Sequence, residues 1–98
     1  MKVLWSELAI QRVSEIAEYK TQEYPEAAKK WVEAIFDRVM QLHHFPKSGR
    51  KVPEINRQNI REIFHKRYRI IYRVEMDNIY ILTIRHGREK PLTEETLE

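Results

Sequence analysis

The sequence predicts an α+β fold, in which a short N-terminal strand and a two-helix antiparallel hairpin pack on one face of a four-stranded antiparallel sheet. Two observations lead to this prediction. Apolar residues recur at helical spacing in the first half of the chain, and they alternate as in strands in the second half. With 98 residues, the chain has the usual size of one domain, so residues 1–98 are expected to form a single domain.

The first half of the chain begins with a strand candidate at residues 2–5, which read KVLW. Ser6 is then placed to cap a helix over residues 6–23, because a serine oxygen accepts a hydrogen bond from the first helical turn. The buried stripe of this helix is predicted from four apolar residues at helical spacing: Ala9, Val13, Ile16 and Ala17.

A second helix is predicted from Pro25 to His43, because proline suits the first position of a helix. Its apolar face consists of five residues that step by four and three: Ala28, Val32, Ile35, Val39 and Leu42. Two helices joined by a few residues form an antiparallel hairpin. We interpret the hairpin as a scaffold rather than as a cofactor pocket.

Strands are expected to follow a long connection at residues 45–58, where prolines and a glycine interrupt regular structure. The three predicted strands cover residues 60–64, 67–75 and 79–85. The middle strand alternates apolar and charged residues, whereas the last is apolar on both faces and is therefore expected inside the sheet. An acidic tail at residues 91–98 ends the chain.

Charge is concentrated in one part of the chain. Residues 47–90 carry 12 Lys and Arg against 5 Asp and Glu, whereas residues 1–46 carry 6 against 7. A concentrated positive field favours a polyanion or an acidic protein segment as partner. A solvated basic surface with no partner would have the same composition.

Several function classes are excluded or disfavoured by the composition. The absence of cysteine excludes disulfides, thiolate metal sites and a cysteine nucleophile. The adjacent His43 and His44 have poor spacing for joint metal ligation, and no glycine-rich phosphate loop is present, so neither a metal nor a cofactor is expected. The chain has no apolar run near the roughly 20 residues of a membrane span and no secretory signal, so a cytoplasmic location without membrane contact is expected.

Three arginines point to phosphate binding. Arg67, Arg69 and Arg73 should share one face of the middle strand, on which alternate positions lie roughly 7 Å apart, close to the spacing of phosphates along a nucleic-acid strand. The alternative is that these arginines are solvated or pair with three nearby carboxylates: Glu54, Glu62 and Glu75.

Two further residues near this face could move protons. Glu54 in the basic loop could act as a base, and His86 at the end of the last strand is of the residue type that most often exchanges protons near neutral pH. A base, a cation cluster and an acid are what metal-free cleavage of RNA through its own 2′-hydroxyl requires. A single glutamate and a single histidine occur together in many proteins without this role.

The chain resembles the RelE/ParE superfamily of toxins from type II toxin–antitoxin modules, which are often labelled plasmid stabilisation proteins. The resemblance covers roughly residues 2–88 and depends on an ordered set of segments: LWSELA, FPKSGRKVPE, IREI, YRIIYRV and ILTIRHGR. It implies a growth-inhibiting toxin that a cognate antitoxin neutralises, with a toxin–antitoxin heterotetramer as a possible assembly.

The resemblance leaves the target open. ParE-like members inhibit DNA gyrase, and the ending His86-Gly87-Arg88 is more similar to theirs, so gyrase inhibition is the first expectation. RelE-like and YoeB-like members cleave mRNA on the ribosome, and the resemblance then implies the catalytic residues Glu54, Arg69, Arg85 and His86. A degenerate, non-toxic interaction module is a third possibility. Further basic residues are expected to contact phosphate or a partner: Lys47, Arg50, Lys51, Arg61, Arg67, Arg73 and Arg88.

Overall fold

A computed structural model describes residues 1–97. Its helices and strands, in chain order, are β1 (Lys2–Trp5), α1 (Glu7–Thr21), α2 (Pro25–Met40), β2 (Arg50–Lys51), β3 (Ile60–His65), β4 (Tyr68–Glu75) and β5 (Asn78–His86). Short 3₁₀ turns follow α2 and lie in the tail, at Gln41–His43 and Glu94–Leu97. The second helix is therefore shorter than predicted, because its last turn tightens before His43.

The predicted α+β class, with two helices packed on the sheet, is confirmed. The sheet itself differs from the prediction, because it has five strands in the order β1-β5-β4-β3-β2 and is mixed. β2 lies inside the predicted loop and pairs antiparallel with β3. β1 runs parallel to β5, since it continues into the helical hairpin rather than into a tight turn. The interior position predicted for the last strand is confirmed, since β5 lies between β1 and β4.

The start of α1 is tied to the sheet by its cap. The Ser6 hydroxyl oxygen accepts a hydrogen bond from the Ala9 amide at 3.0 Å, as the sequence predicted. The same hydroxyl donates to the carbonyl oxygen of Leu82 in β5 at 2.9 Å. The cap therefore fixes where the helical hairpin crosses the sheet.

Apolar side chains cover both faces of the sheet. The helix side holds the larger cluster, which includes Val13, Ile35, Ile70 and Ile84. The other side holds a smaller cluster of five buried residues: Val52, Ile60, Ile71, Leu82 and Leu92. A bulge leaves Leu82 without a partner in β4, because the register steps from Ile71–Thr83 to Tyr72–Ile81. The tail, through Leu92, closes part of the sheet face opposite the helices.

Candidate functional site

One concavity lies on the sheet face opposite the helices, at the end where β3, β4 and β5 meet two loops. It measures about 480 Å³. We call it the basic groove, and it is lined by Arg50, Glu54, Phe64, Lys66, Arg67, Arg69, His86, Gly87 and Arg88. The strand alternation places Phe64 and Arg69 side by side, since they are register partners in β3 and β4.

Arg69 forms the centre of the basic groove through three hydrogen bonds to two carboxylates. Its Nη1 and Nη2 donate to the two oxygens of Glu54 at 2.8 and 3.0 Å. Its Nε donates to Glu62 at 2.6 Å. Glu62 is 1% exposed and also accepts from Arg50 Nε at 2.7 Å. The buried carboxylate therefore holds two arginines in fixed positions.

These contacts set the charge state of the centre. The Arg69 guanidinium lowers the pKa of Glu54 from its ordinary 4.5 to about 2, helped by the Leu92 amide, which donates to the same carboxylate at 3.2 Å. In return, the hydrogen bonds to Glu54 raise the pKa of Arg69 above its ordinary value. Glu54 is ionised at neutral pH, and its charge is balanced by Arg69.

The rim of the basic groove is positive. Lys66, Arg67 and Arg88 lie more than 4 Å from every carboxylate in residues 1–97. The exposed ring of Phe64 lies among them, with the Arg50 guanidinium 5.3 Å from its centroid. The centre of the basic groove is neutral, and its rim is positive and partly aromatic. This arrangement suits the binding of a surface that is acidic, or acidic and apolar, better than it suits proton transfer.

Most of the residues that the sequence proposed for a site do meet in the basic groove: Arg50, Glu54, Arg67, Arg69, His86 and Arg88. Arg85 is a register partner of Arg69 but does not line the groove. Its Nη2 instead donates to the Lys90 carbonyl at 2.9 Å. Lys51, in the edge strand β2, does not line the groove either.

The other proposed residues lie away from the groove. Lys47 and Arg61 line a separate depression of about 480 Å³ that includes Asn59 and Met76. Arg61 donates to the Gly49 carbonyl at 2.9 Å. Its side chain is therefore engaged with the backbone at Gly49 and does not join the groove.

The predicted row of three arginines is divided. Arg67 lies in the turn before β4, which begins at Tyr68, and only Arg67 and Arg69 reach the basic groove. Arg73 lies further along β4, where it pairs with Glu75 at 2.9 Å and stacks 4.8 Å from the ring of Tyr80. The alternative interpretation, in which these arginines pair with nearby carboxylates, therefore holds for Arg69 and Arg73.

Sequence reasoning did not assign Phe64 or Lys66 to the site, nor did it expect Glu62 to be buried. The alternation of β3 places Phe64 on the same face as Glu62, so its position could have been derived. The burial of Glu62 depends on Arg50 and Arg69 from neighbouring strands, which no local pattern specifies.

The described part of the chain offers little for metal or membrane binding. Residues 1–97 contain no group of three His, Cys, Asp or Glu side chains that could hold a metal ion. In the same range, no helix is long and apolar enough to cross a bilayer.

Comparison with known proteins identifies the family. Residues 3–91 match the family model described as "ParE toxin of type II toxin-antitoxin system, parDE". Among solved structures, the chain is similar to one titled "Chromosomal ParDE TA system from P. aeruginosa", with a TM-score of 0.75 and 24% identity over 88% of this chain and 95% of that one. At this identity the structural match shows the fold. No curated protein matches the chain.

Proposed function

This chain belongs to the ParE toxins of parDE type II toxin–antitoxin systems, and from that premise we propose that it arrests growth by binding DNA gyrase in the cytoplasm. Its membership implies a cognate ParD antitoxin as partner. Under this proposal, the toxin inhibits gyrase by occupying part of the gyrase surface. Cleavage of mRNA on the ribosome is the alternative that the experiment below separates from it.

The observation that carries the proposal is the pairing of Glu54 with Arg69. A general base must be free to accept a proton, and it works best with a pKa near the working pH. Glu54 has a pKa of about 2, and its oxygens accept hydrogen bonds from Arg69 and from the Leu92 amide. This geometry supports a structural role for Glu54. The nuclease alternative would instead need the same carboxylate as its catalytic base.

The position of Arg85 supports the same conclusion. The nuclease alternative needs this guanidinium beside the phosphate that Arg69 and His86 would contact. Arg85 donates to the Lys90 carbonyl and lies 3.9 Å from Glu89, outside the basic groove. Of the proposed cluster, Glu54, Arg69 and His86 line the groove, whereas the Arg85 guanidinium contacts the Lys90 carbonyl and Glu89 instead.

We assign partner binding to the rim of the basic groove. The cations of Lys66, Arg67 and Arg88 surround the exposed Phe64. A partner with acidic side chains around an apolar one would match this arrangement. We propose that the antitoxin covers this rim in a toxin–antitoxin heterotetramer and so hides it from the target.

Two assays with the purified toxin test the proposal. Gyrase supercoiling of relaxed plasmid should fall as toxin is added, and mRNA 5′ ends mapped in a translating extract should show no codon-phased cuts. Codon-phased cuts that disappear in Glu54→Gln but persist in the exposed control Glu23→Gln would establish the nuclease and refute the proposal. Growth that continues when the toxin is expressed without antitoxin, together with unchanged supercoiling, would point to a non-toxic interaction module.

Arg69→Ala is a poor variant for this purpose, because removing Arg69 leaves the buried Glu62 without one of its two partners. The exposed Arg67 is the better choice. Arg67→Ala should weaken gyrase inhibition while leaving the melting temperature close to that of the unmodified toxin.

A further inference from the structure

The turn at the end of β5 carries residues of the basic groove and is held by a carboxylate that lies outside the groove. His86 and Arg88 line the groove, whereas Glu89, the next residue, does not. The Glu89 side chain instead contacts Arg12 in α1. The residues that border the groove and the group that fixes them are therefore neighbours in the chain, although only the former can touch a partner in the groove.

Glu89 closes this turn with two hydrogen bonds to His86. Its backbone amide donates to the His86 carbonyl oxygen at 3.1 Å, as in an ordinary tight turn. Its side-chain oxygen Oε2 accepts from the His86 amide at 2.6 Å. A hydrogen bond from an amide to an ionised carboxylate is short and strong. The backbone from His86 to Glu89 is therefore fixed by the side chain as well as by the turn itself.

Arg12 fixes the carboxylate of Glu89. Its Nη2 donates to the same Oε2 atom at 2.8 Å, and its Nε donates to the Ile84 carbonyl oxygen at 3.0 Å. The side chains of Arg12 and Glu89 are 25% and 33% exposed, so the pair is mostly covered by the protein. One guanidinium thus connects α1 to β5 and to the turn that follows it.

Further contacts of the turn connect it to the rim of the basic groove. The His86 ring nitrogen Nδ1 accepts from the Arg88 amide at 3.1 Å, and the Gly87 amide donates to the Arg67 carbonyl oxygen at 2.8 Å. The His86 ring also packs edge to face on Tyr68, with their centroids 5.3 Å apart. The backbone that presents Arg88 therefore depends on the same turn that Glu89 closes.

Balancing the charge of its neighbours does not account for the position of Glu89. Its carboxylate lies 3.9 Å from Arg85, whereas its contacts to the His86 amide and to Arg12 are shorter. The adjacent Arg88 has no carboxylate within 4 Å in residues 1–97. Glu89 therefore fixes the turn and leaves the charge of Arg88 available to a partner.

We propose that Glu89 is a positioning residue for partner binding at the rim of the basic groove, and that Arg12 orients it. This role rests on the proposed function, which places the contact with gyrase on that rim. Glu89 and Arg12 touch no partner themselves. They hold the backbone that presents Arg88, and a side chain on a fixed backbone loses less conformational freedom when it binds. Loosening the turn should therefore weaken binding.

Gyrase assays with purified variants test this role. Glu89→Ala should raise the toxin concentration that half-inhibits supercoiling about tenfold, the factor that one charge-assisted hydrogen bond contributes. The direction is informative, because removing a negative charge near a positive rim would by itself strengthen the binding of an acidic surface. Glu15→Ala is the matched control, since Glu15 lies 3.4 Å from the same Arg12 and is 49% exposed on its side chain. A control that weakens inhibition as much as Glu89→Ala would refute the proposal.

A double variant separates positioning from a general loss of stability. If Glu89 acts through Arg88, Glu89→Ala should add little to the loss caused by Arg88→Ala, whereas independent effects would multiply. Multiplied losses would contradict the proposal. Amide spectra of ¹⁵N-labelled proteins verify folding, and in Glu89→Ala they should show shifts at Gly87 and none at Arg69. Glu89→Gln keeps an acceptor for the His86 amide, so it should lose less inhibition than Glu89→Ala, and it replaces that variant if the alanine form does not fold.

A peptide probe distinguishes failure of this role from failure of the gyrase proposal. A fluorescein-labelled peptide with four glutamates around one leucine has the acidic and apolar character that the rim should bind. Its dissociation constant, measured by fluorescence anisotropy, should rise in Glu89→Ala and in Arg12→Ala but not in Glu15→Ala. This ranking, together with a toxin that does not inhibit gyrase, would refute gyrase as the target and support the positioning role. An unchanged affinity in Glu89→Ala would overturn the role, and a toxin that neither binds the peptide nor inhibits gyrase would overturn both.

Discussion

Arg69 and Glu54 face each other through two parallel hydrogen bonds, from Nη1 to Oε2 at 2.8 Å and from Nη2 to Oε1 at 3.0 Å. This fork is among the strongest side-chain contacts available to a protein. It joins the loop after β2 to the middle strand of the sheet. Because Glu54 also accepts from the Leu92 amide, the same carboxylate fastens the tail. The centre of the basic groove is thus a structural junction.

Glu54→Gln should lower the free energy of unfolding at pH 7, by about 1 kcal/mol or more. Arg69 lowers the folded-state pKa of Glu54 from 4.5 to about 2. The ionised carboxylate therefore stabilises the fold fully above pH 4.5, and this contribution is lost as the pH falls through 2. Urea unfolding at several pH values should show the variant and the unmodified protein converging in acid. A difference that stays constant with pH would contradict this account.

Glu62→Gln should be far more costly, with a loss of about 3 kcal/mol or more, because it leaves two arginines without their buried counter-charge. Glu75 offers a matched control, since it pairs with Arg73 at the surface and is 53% exposed on its side chain. Glu75→Gln should change the unfolding free energy by less than about 1 kcal/mol. Chemical denaturation of both variants measures the contrast, and similar losses would show that Glu62 is not the anchor.

Gly49→Ala should destabilise the protein strongly, whereas Gly87→Ala should be tolerated. A Cβ on Gly49 would lie 2.4 Å from the Glu62 carbonyl oxygen and 2.6 Å from the Tyr72 hydroxyl, which accepts a hydrogen bond from the Gly49 amide at 2.9 Å. On Gly87 the nearest atom would be the Arg67 carbonyl oxygen at 3.3 Å. Thermal melting should separate the two variants by several degrees, and equal melting temperatures would disprove the close approach at Gly49.

Leu92→Ala should detach the tail from the sheet. Leu92 is 2% exposed in the cluster on the face opposite the helices. Its truncation should cost about 2 to 4 kcal/mol. It should also speed cleavage by trypsin after Arg88, since the protease needs a mobile backbone. Glu95→Ala, at an exposed position of the same tail, should leave the cleavage rate unchanged, and faster cleavage of that control would remove the case for Leu92 as the anchor.

The helical hairpin could be predicted because its information is local. The spacing of Ala28, Ile35 and Val39 marks the buried face of α2 without reference to any other element. The Ser6 cap could be predicted for the same reason, because it depends only on residues at the start of α1. The direction of β1 could not be predicted, since its partner β5 is remote in sequence and KVLW fits either orientation.

The charge of the second half could be counted, but its distribution in space could not. Many of its cations are balanced internally, as Arg69 is by Glu54 and Glu62 and Arg73 is by Glu75. The alternation of residues along a strand tells which face of the sheet a side chain occupies. It does not tell which side chains of the neighbouring strands will contact it. The sequence could therefore indicate a basic surface, while the free cations on it became visible only in the folded chain.

The parallel pairing of β1 with β5 has a consequence for the order in which the protein is made. Lys2 and Trp5 are each translated 76 residues before their partners, Asn78 and Ile81. Contacts this remote in sequence slow folding, because the chain must close a long loop before they form. The sheet, and with it the basic groove, therefore forms only after β5 at Asn78–His86 has been translated.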